Sequence, residues 1–234
     1  MAIDDQIARL LDAGVDHVGP SVAEEVLSAA LPPGLPEDYL KVLRRLNGLS
    51  VQSGVNRLFG VRGEPTMDLR AWNETDNWKF AWAGRVDQFL CIGETAFGDQ
   101  YAFRYEGGVL SSEVYLLEAN FLEPEVSGGT FEEFFVTEFV RNAEDPWDLV
   151  AVEAVKKFGS IDISKNWVYS PSVALGGPDD ISNVMQMDSF AAMTIAGDIV
   201  TAIYSAPAEA ILKGVSPWLD ERGRPRLSVN FESS

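Results

Sequence analysis

The chain of 234 residues is predicted to fold as an α+β protein. N-terminal helices should pack on a central, mostly antiparallel sheet, with additional C-terminal helices and a final strand after it. Three observations predict this class. Helical apolar spacing dominates residues 3–46, short aromatic-rich runs between glycines fill residues 89–117, and helical spacing returns after residue 130. Hydrophobic residues at 46% and charged residues at 23% are typical of a globular protein with a sizeable core.

Three helices are predicted before the first strand. Apolar residues at helical spacing over residues 3–11 predict the first helix, which Gly14 should end. Ser21 and Glu24 have the spacing of a capping box and predict the start of the second. The third should begin with Pro36 at its first helical position and end at Asn47, which Gly48 follows.

An antiparallel meander is predicted for the middle of the chain. Apolar or alternating runs predict strands over residues 55–61, 89–92, 101–105 and 114–117. Gly93 and Gly98 should break the chain between them, because glycine adopts positive φ at little cost. A short helix is expected over residues 68–77.

The last third of the chain is predicted to be mainly helical, with one strand at its end. Thr130 should cap a helix whose aromatic residues, Phe131, Phe134, Phe135 and Phe139, face the core. Further helices are expected over residues 149–158 and 190–204, although the β-branched residues of the second segment also suit a strand. A turn of helix is expected over 208–212, a loop over 160–180 and a strand over 227–231. The best candidate boundary is at residue 145, which gives a first domain of residues 1–145 and an extension of residues 146–234 packed on it.

Charge is the most informative bulk property. Thirty-six acids against 18 bases give a net charge of −18, which disfavours nucleic acid and anionic membrane surfaces as partners. Between residues 113 and 153 there are eleven acids and one base, Arg141. Such a segment is either a solvated outer face or an attractive surface for a basic partner. The candidate partner-binding residues are Glu118, Glu123, Glu125, Glu132, Glu133, Asp145 and Trp147.

The residue inventory offers little for catalysis. With one histidine, His17, and one cysteine, Cys91, neither a zinc site nor a nucleophilic triad is expected. The pair Asp179-Asp180 is too small a cluster for calcium, and Gly176-Gly177 is typical of a tight turn, so no metal and no cofactor are expected. Paired carboxylates remain available, as in any acidic chain, and keep a carboxylate-dependent hydrolase open as an alternative.

Residues 1–5 lack the basic and apolar regions of a secretory signal, which favours a cytoplasmic protein.

The order of several pieces resembles the SUKH superfamily. An apolar strand leads into Ile92-Gly93-Glu94-Thr95-Ala96-Phe97-Gly98-Asp99-Gln100-Tyr101, a Val-Tyr strand follows, and Thr130-Phe131-Glu132-Glu133-Phe134-Phe135 comes after it. The resemblance covers roughly residues 31–142. Members are known mostly as bacterial immunity proteins that bind and neutralise toxins, with some eukaryotic cell-wall regulators.

A second resemblance lies in the extension. Residues Tyr169-Ser170-Pro171-Ser172-Val173-Ala174-Leu175-Gly176-Gly177 are similar to an element in the C-terminal domain of immunity proteins found beside type VI secretion effectors. That domain also carries an element like Ala96-Phe97-Gly98-Asp99 upstream. This chain differs in Ser172-Val173 after the proline and in a longer C-terminus.

Both resemblances imply a non-catalytic immunity protein that binds a cognate bacterial toxin. The acidic surface would then be the contact with a basic toxin. Two other functions stay open at this point, namely a regulatory scaffold for a cellular protein and the hydrolase named above.

Overall fold

A seven-stranded antiparallel sheet forms the centre of the protein, and its strands lie side by side in chain order. The computed structural model describes residues 2–121 and 123–232. The strands are β1 (His17–Val18), β2 (Leu49–Val51), β3 (Asn56–Leu58), β4 (Phe89–Thr95), β5 (Gln100–Glu106), β6 (Val109–Leu117) and β7 (Pro124–Gly128). Each is antiparallel to the next, so the sheet is one continuous meander. The predicted fold class is therefore confirmed.

Helices precede this sheet, interrupt it and continue into the last third of the chain. They are α1 (Ile3–Ala13), α2 (Glu24–Ala30), α3 (Glu37–Leu46), α4 (Leu69–Asn73), α5 (Phe131–Phe135), α6 (Asn142–Glu144), α7 (Leu149–Phe158) and α8 (Ser189–Ser205). A π-helical segment, Val136–Arg141, joins α5 to α6. Two separate hairpins complete the fold, β8 (Lys165–Tyr169) with β9 (Val184–Asp188) and β10 (Ile211–Leu219) with β11 (Pro225–Glu232).

Aromatic side chains on α5 and the π-helical segment fill the core against the sheet. The four phenylalanines predicted to face inward are each 2% exposed or less. Phe134 packs edge-on against Tyr101 of β5 at a ring distance of 4.9 Å. Thr130 caps α5 as predicted, its hydroxyl oxygen accepting the Glu133 N–H at 3.2 Å.

Buried contacts connect the two regions that the sequence divides at residue 145. A second, smaller core combines residues from both, namely Val55, Ala96, Ala151, Ala154, Ile161, Trp167 and Val184. The Trp82 indole N–H donates to the Met193 carbonyl of α8 at 2.9 Å. The division itself stays a prediction, because these contacts do not test whether either region folds alone.

Several predicted boundaries are wrong near the N-terminus. Helix α2 begins at Glu24 with Ala23 as its N-cap, because the chain is still extended at Ala23, so Ser21 lies too far upstream to cap it. Pro36 is the N-cap of α3 and not its first helical residue. The ends of α1, α3 and α7 at Gly14, Asn47 and Gly159 are as predicted.

The strand predictions need correction at two places in the meander. The strand predicted over residues 55–61 is shorter, Asn56–Leu58, with one further bond from the Phe59 N–H to the Ile92 carbonyl. It ends there because the Gly60 backbone bonds to Met67 and Leu69 instead. Gly93 does not end β4. It forms a bulge there and still pairs with strands on both sides.

The last third contains more strand than its pattern predicts. The predicted loop over residues 160–180 includes β8, and the predicted turn of helix over 208–212 is a non-helical turn that leads into β10 at Ile211. The sequence pattern does not indicate strand β10, because β10 contains Gly214 and Pro217 and both residue types disfavour strands. The helix predicted over 190–204 and the strand over 227–231 are confirmed in α8 and β11.

Candidate functional site

Three of the predicted partner-binding residues come together at one end of the outer strands. Glu118 follows β6, Glu123 precedes β7 and Glu125 lies within β7. Because Leu117 pairs with Pro124, the antiparallel register places all three exposed acids at the same end of the pair. Partial burial of its carboxylate raises the pKa of Glu118 most, and the charges of Asp99, Glu125, Glu123 and Asp179 raise it further.

The other four predicted residues have different surroundings. Glu132 and Glu133 lie in the first turn of α5, where acidic side chains stabilise a helix through its dipole. Asp145 and Trp147 are exposed in the segment between α6 and α7, and Trp147 is 62% exposed. None of these four lines the acidic cavity that contains Glu118.

That acidic cavity has a volume of about 290 Å³. Four carboxylates line it, namely Asp99 from the turn between β4 and β5, Glu118, Asp148 at the start of α7, and Asp179 before β9. The remaining described lining residues are Phe97, Asn120, Phe121, Val150, Tyr169 and Val173, so no basic side chain neutralises the four acids within it. The cavity therefore has a negative potential that would favour a cation.

Two of the four carboxylates also serve the fold. Asp99 accepts the Ala119 N–H and the Thr95 hydroxyl, both at 3.0 Å. Burial raises the pKa of Asp99, these two hydrogen bonds lower it, and the Asp148 charge raises it further. Asp148 caps α7 by accepting the N–H groups of the second and third residues after it. Glu118 and Asp179 are exposed.

An apolar groove of about 460 Å³ lies close to the acidic cavity. It runs between the segment after β8, helix α8 and the β10–β11 hairpin, with Ile195, Ile199, Leu212, Val215 and Leu227 among its lining residues. A narrow chamber of about 60 Å³ adjoins both, since it shares lining residues with each. Tyr169 lines the groove, the chamber and the acidic cavity.

Aromatic side chains border the three spaces. Phe97 stacks on Tyr169 with ring centroids 5.5 Å apart and an interplanar angle of 17°. Trp167 lies 5.5 Å from Phe97 and lines the chamber. Burial raises the pKa of the Tyr169 hydroxyl, and its hydrogen bond to Asp179 raises it further, so this hydroxyl stays protonated. Trp167 is fully buried, yet its indole N–H has no acceptor among the described residues.

The sequence signal for this site was present in two motifs. The element at residues 96–99 and the element at residues 169–177 are distant in the chain but meet here, since Phe97 stacks on Tyr169. Asp99 and Asp179 were missed as site residues because local pattern does not show that these two segments converge.

Other chemistries find little support in the described part of the chain. No group of three or more histidine, cysteine, aspartate or glutamate side chains within residues 2–121 and 123–232 is placed to hold a metal. Burial raises the pKa of Cys91 to about 11, so the thiol is protonated near neutral pH. Among the same residues, no helix combines the length and apolar character needed to cross a membrane.

Comparison with known proteins yields a structural likeness. No family model and no curated protein matches the chain. The crystal structure of Atu4351 from Agrobacterium tumefaciens is similar, with a TM-score of 0.54 and 14% sequence identity over 87% of this chain and 90% of that one. At this identity the likeness concerns the fold alone.

Proposed function

We propose that this chain is a non-catalytic immunity-type protein that binds a basic bacterial toxin through its acidic surface and so neutralises it. The observation that supports this most is the group of exposed acids at Glu118, Glu123 and Glu125, which adjoins a cavity with four carboxylates and no base among its described lining residues. The resemblances to SUKH and type VI immunity proteins supply the class of partner. The cytoplasm is the proposed place of action.

Electrostatic attraction gives this surface a definite role in binding. Acids at the rim of an interface raise the association rate of an oppositely charged partner, and salt screens that effect. Apolar anchors near the centre hold the complex once it has formed. We call Glu118, Glu123 and Glu125 the acidic rim. This rim and the neighbouring apolar groove offer both components of a protein interface.

Neutralising the rim should slow capture of the toxin. In the variant Glu118→Gln/Glu123→Gln/Glu125→Gln, the association rate constant for the protein encoded by the adjacent gene should fall about tenfold at low salt. Its dependence on salt should also become shallower. Stopped-flow or surface-plasmon-resonance measurements at low and high salt test this.

A matched control keeps the overall charge equal. Asp12→Asn/Glu64→Gln/Glu106→Gln removes three exposed acids elsewhere on the protein and should change the rate much less. Equal effects of the two variants would mean that only net charge matters, and an unchanged rate in the rim variant would contradict the proposal. Rim-dependent binding to a non-toxic cellular protein would favour the regulatory scaffold instead.

One observation favours a second candidate, the carboxylate-dependent hydrolase. Asp99 and Glu118 line the same cavity, and burial raises the pKa of both. Against this, both oxygens of Asp99 already accept hydrogen bonds from the fold. We expect no turnover of chromogenic aryl glycosides or aryl esters by the purified protein. Turnover that disappears in Glu118→Gln would favour the hydrolase.

A further inference from the structure

We infer that the apolar groove, the chamber and the acidic cavity form one docking site for an extended segment of the partner protein, in which an apolar side chain is followed by a lysine or arginine. This inference rests on the proposed function and names the contact that holds the partner. The groove and the acidic cavity set its two chemical requirements, and the chamber shares lining residues with both.

The groove provides the apolar end. Its volume of about 460 Å³ lies within the usual range of ligand-binding clefts, and its lining is largely apolar. Leu212 and Val215 on β10 are 37% and 46% exposed, so the groove leaves apolar surface in water. Covering that surface with an apolar side chain of a partner would release the water.

The chamber provides an independent sign, because one of its lining residues lacks a hydrogen-bond acceptor. Trp167 lines it, and the Trp167 indole N–H is buried with no acceptor among the described residues. Buried polar groups in proteins nearly always have hydrogen-bond partners. This N–H is itself closed to solvent, so a segment that shifted the Trp167 ring would offer it a main-chain carbonyl, which an apolar small molecule cannot.

The acidic cavity provides the charged end. Its four carboxylates include the exposed Glu118 and Asp179, and the rings of Phe97 and Tyr169 line the same space. A lysine or arginine side chain would receive both charge attraction and contact with aromatic faces here. Since Tyr169 borders all three spaces, the apolar and basic residues of the segment should be close neighbours in sequence.

The test uses a random peptide library displayed on phage and panned against the full-length protein. Selected peptides should share an apolar residue followed closely by lysine or arginine. The most frequent peptide is then synthesised with a fluorophore, and its dissociation constant is measured by fluorescence anisotropy. Replacing its apolar residue by serine, or its basic residue by glutamate, should each weaken binding at least about tenfold.

Two variants block or weaken the groove without touching the core. Gly214 lies on the groove, and a side chain there would begin in open space, so Gly214→Phe should obstruct the groove and weaken the peptide about tenfold. Leu212→Ser should act in the same direction. Gly63→Phe is the matched control, because an added Cβ at Gly63 likewise meets nothing within 4 Å and Gly63 does not line the groove.

The acidic end has its own pair of variants. Glu118→Gln/Asp179→Asn should weaken the peptide about fivefold and flatten the salt dependence of binding. Asp12→Asn/Glu106→Gln removes the same charge elsewhere and should change little.

The outcomes separate this inference from the proposed function. If the toxin binds Gly214→Phe and Leu212→Ser as well as the unaltered protein but loses affinity for the rim variant, the docking site is wrong and the function stands. If no toxin binds but the selected peptide does, the function fails and the docking site stands. Selection of peptides without the apolar–basic pairing, or binding of dodecyltrimethylammonium with no peptide selected, would overturn the docking site.

Discussion

Replacement of Arg57 by methionine is expected to lower the free energy of unfolding by about 3–5 kcal/mol, because it leaves the Glu94 carboxylate buried without its charge partner. Both side chains are completely buried, and the Arg57 guanidinium donates to Glu94 at 3.0 Å. The same guanidinium donates to the carbonyls of Gly54 at 2.9 Å and Lys165 at 2.7 Å. Its loss would therefore loosen the connection between β3 and the start of β8.

A double variant tests whether the charge is the cause. Glu94 also accepts hydrogen bonds from the amides of Asn166 and Gln100, which a glutamine oxygen can still accept. Arg57→Met/Glu94→Gln should therefore recover a large part of the lost stability, as measured by urea unfolding. A double variant as unstable as Arg57→Met would contradict this account and assign the loss to the unpaired carbonyls.

The single variant should also respond to pH in a defined direction. Burial raises the pKa of Glu94 above its ordinary value of 4.5, and Arg57 opposes this, so removing Arg57 raises the pKa further. The folded variant then binds a proton that the unfolded chain releases. Its stability should consequently fall as pH rises from about 4.5 through the raised pKa, so the deficit should be smaller at pH 5 than at pH 8. Equal deficits at both values would argue against a charged Glu94.

Gly197→Ala is expected to destabilise the protein by about 1–3 kcal/mol, although alanine is the better helix former. Gly197 lies in α8, where an added Cβ would be 2.6 Å from the Trp82 ring and 3.0 Å from the Ala81 backbone. The Thr201 hydroxyl fixes the same contact by donating to the Ala81 carbonyl at 3.0 Å. Since α8 also borders the apolar groove, moving it should weaken peptide binding as well.

The control for this variant is Gly63→Ala, where an added Cβ meets nothing within 4 Å. Its unfolding free energy should change by less than about 0.5 kcal/mol. Thermal and urea unfolding of both variants measure the difference. A more stable Gly197→Ala, as helix propensity alone would give, would show that Trp82 can move aside.

The candidate site was only partly predictable. Glu118, Glu123 and Glu125 could be selected because acids concentrate in one segment, and antiparallel pairing then brings them to one end of two strands. The four carboxylates of the cavity come from four separate segments, and neither composition nor spacing relates them. Asp99 and Asp148 have local roles in a turn and a helix cap, and these local roles conceal their position beside the cavity.

Local chemistry in the sequence determined the α+β class, the meander, the capping of α5 by Thr130, and the extents of α7 and α8. Each depends on periodicity, glycine or a capping side chain within a few residues, so a short window contains the information. Only the tertiary structure decided the pairing of β8 with β9 and of β10 with β11, the buried pair of Arg57 with Glu94, and the groove beside the acidic cavity. These features depend on contacts between residues far apart in the chain, and their free energy appears only when the folded core brings those residues together.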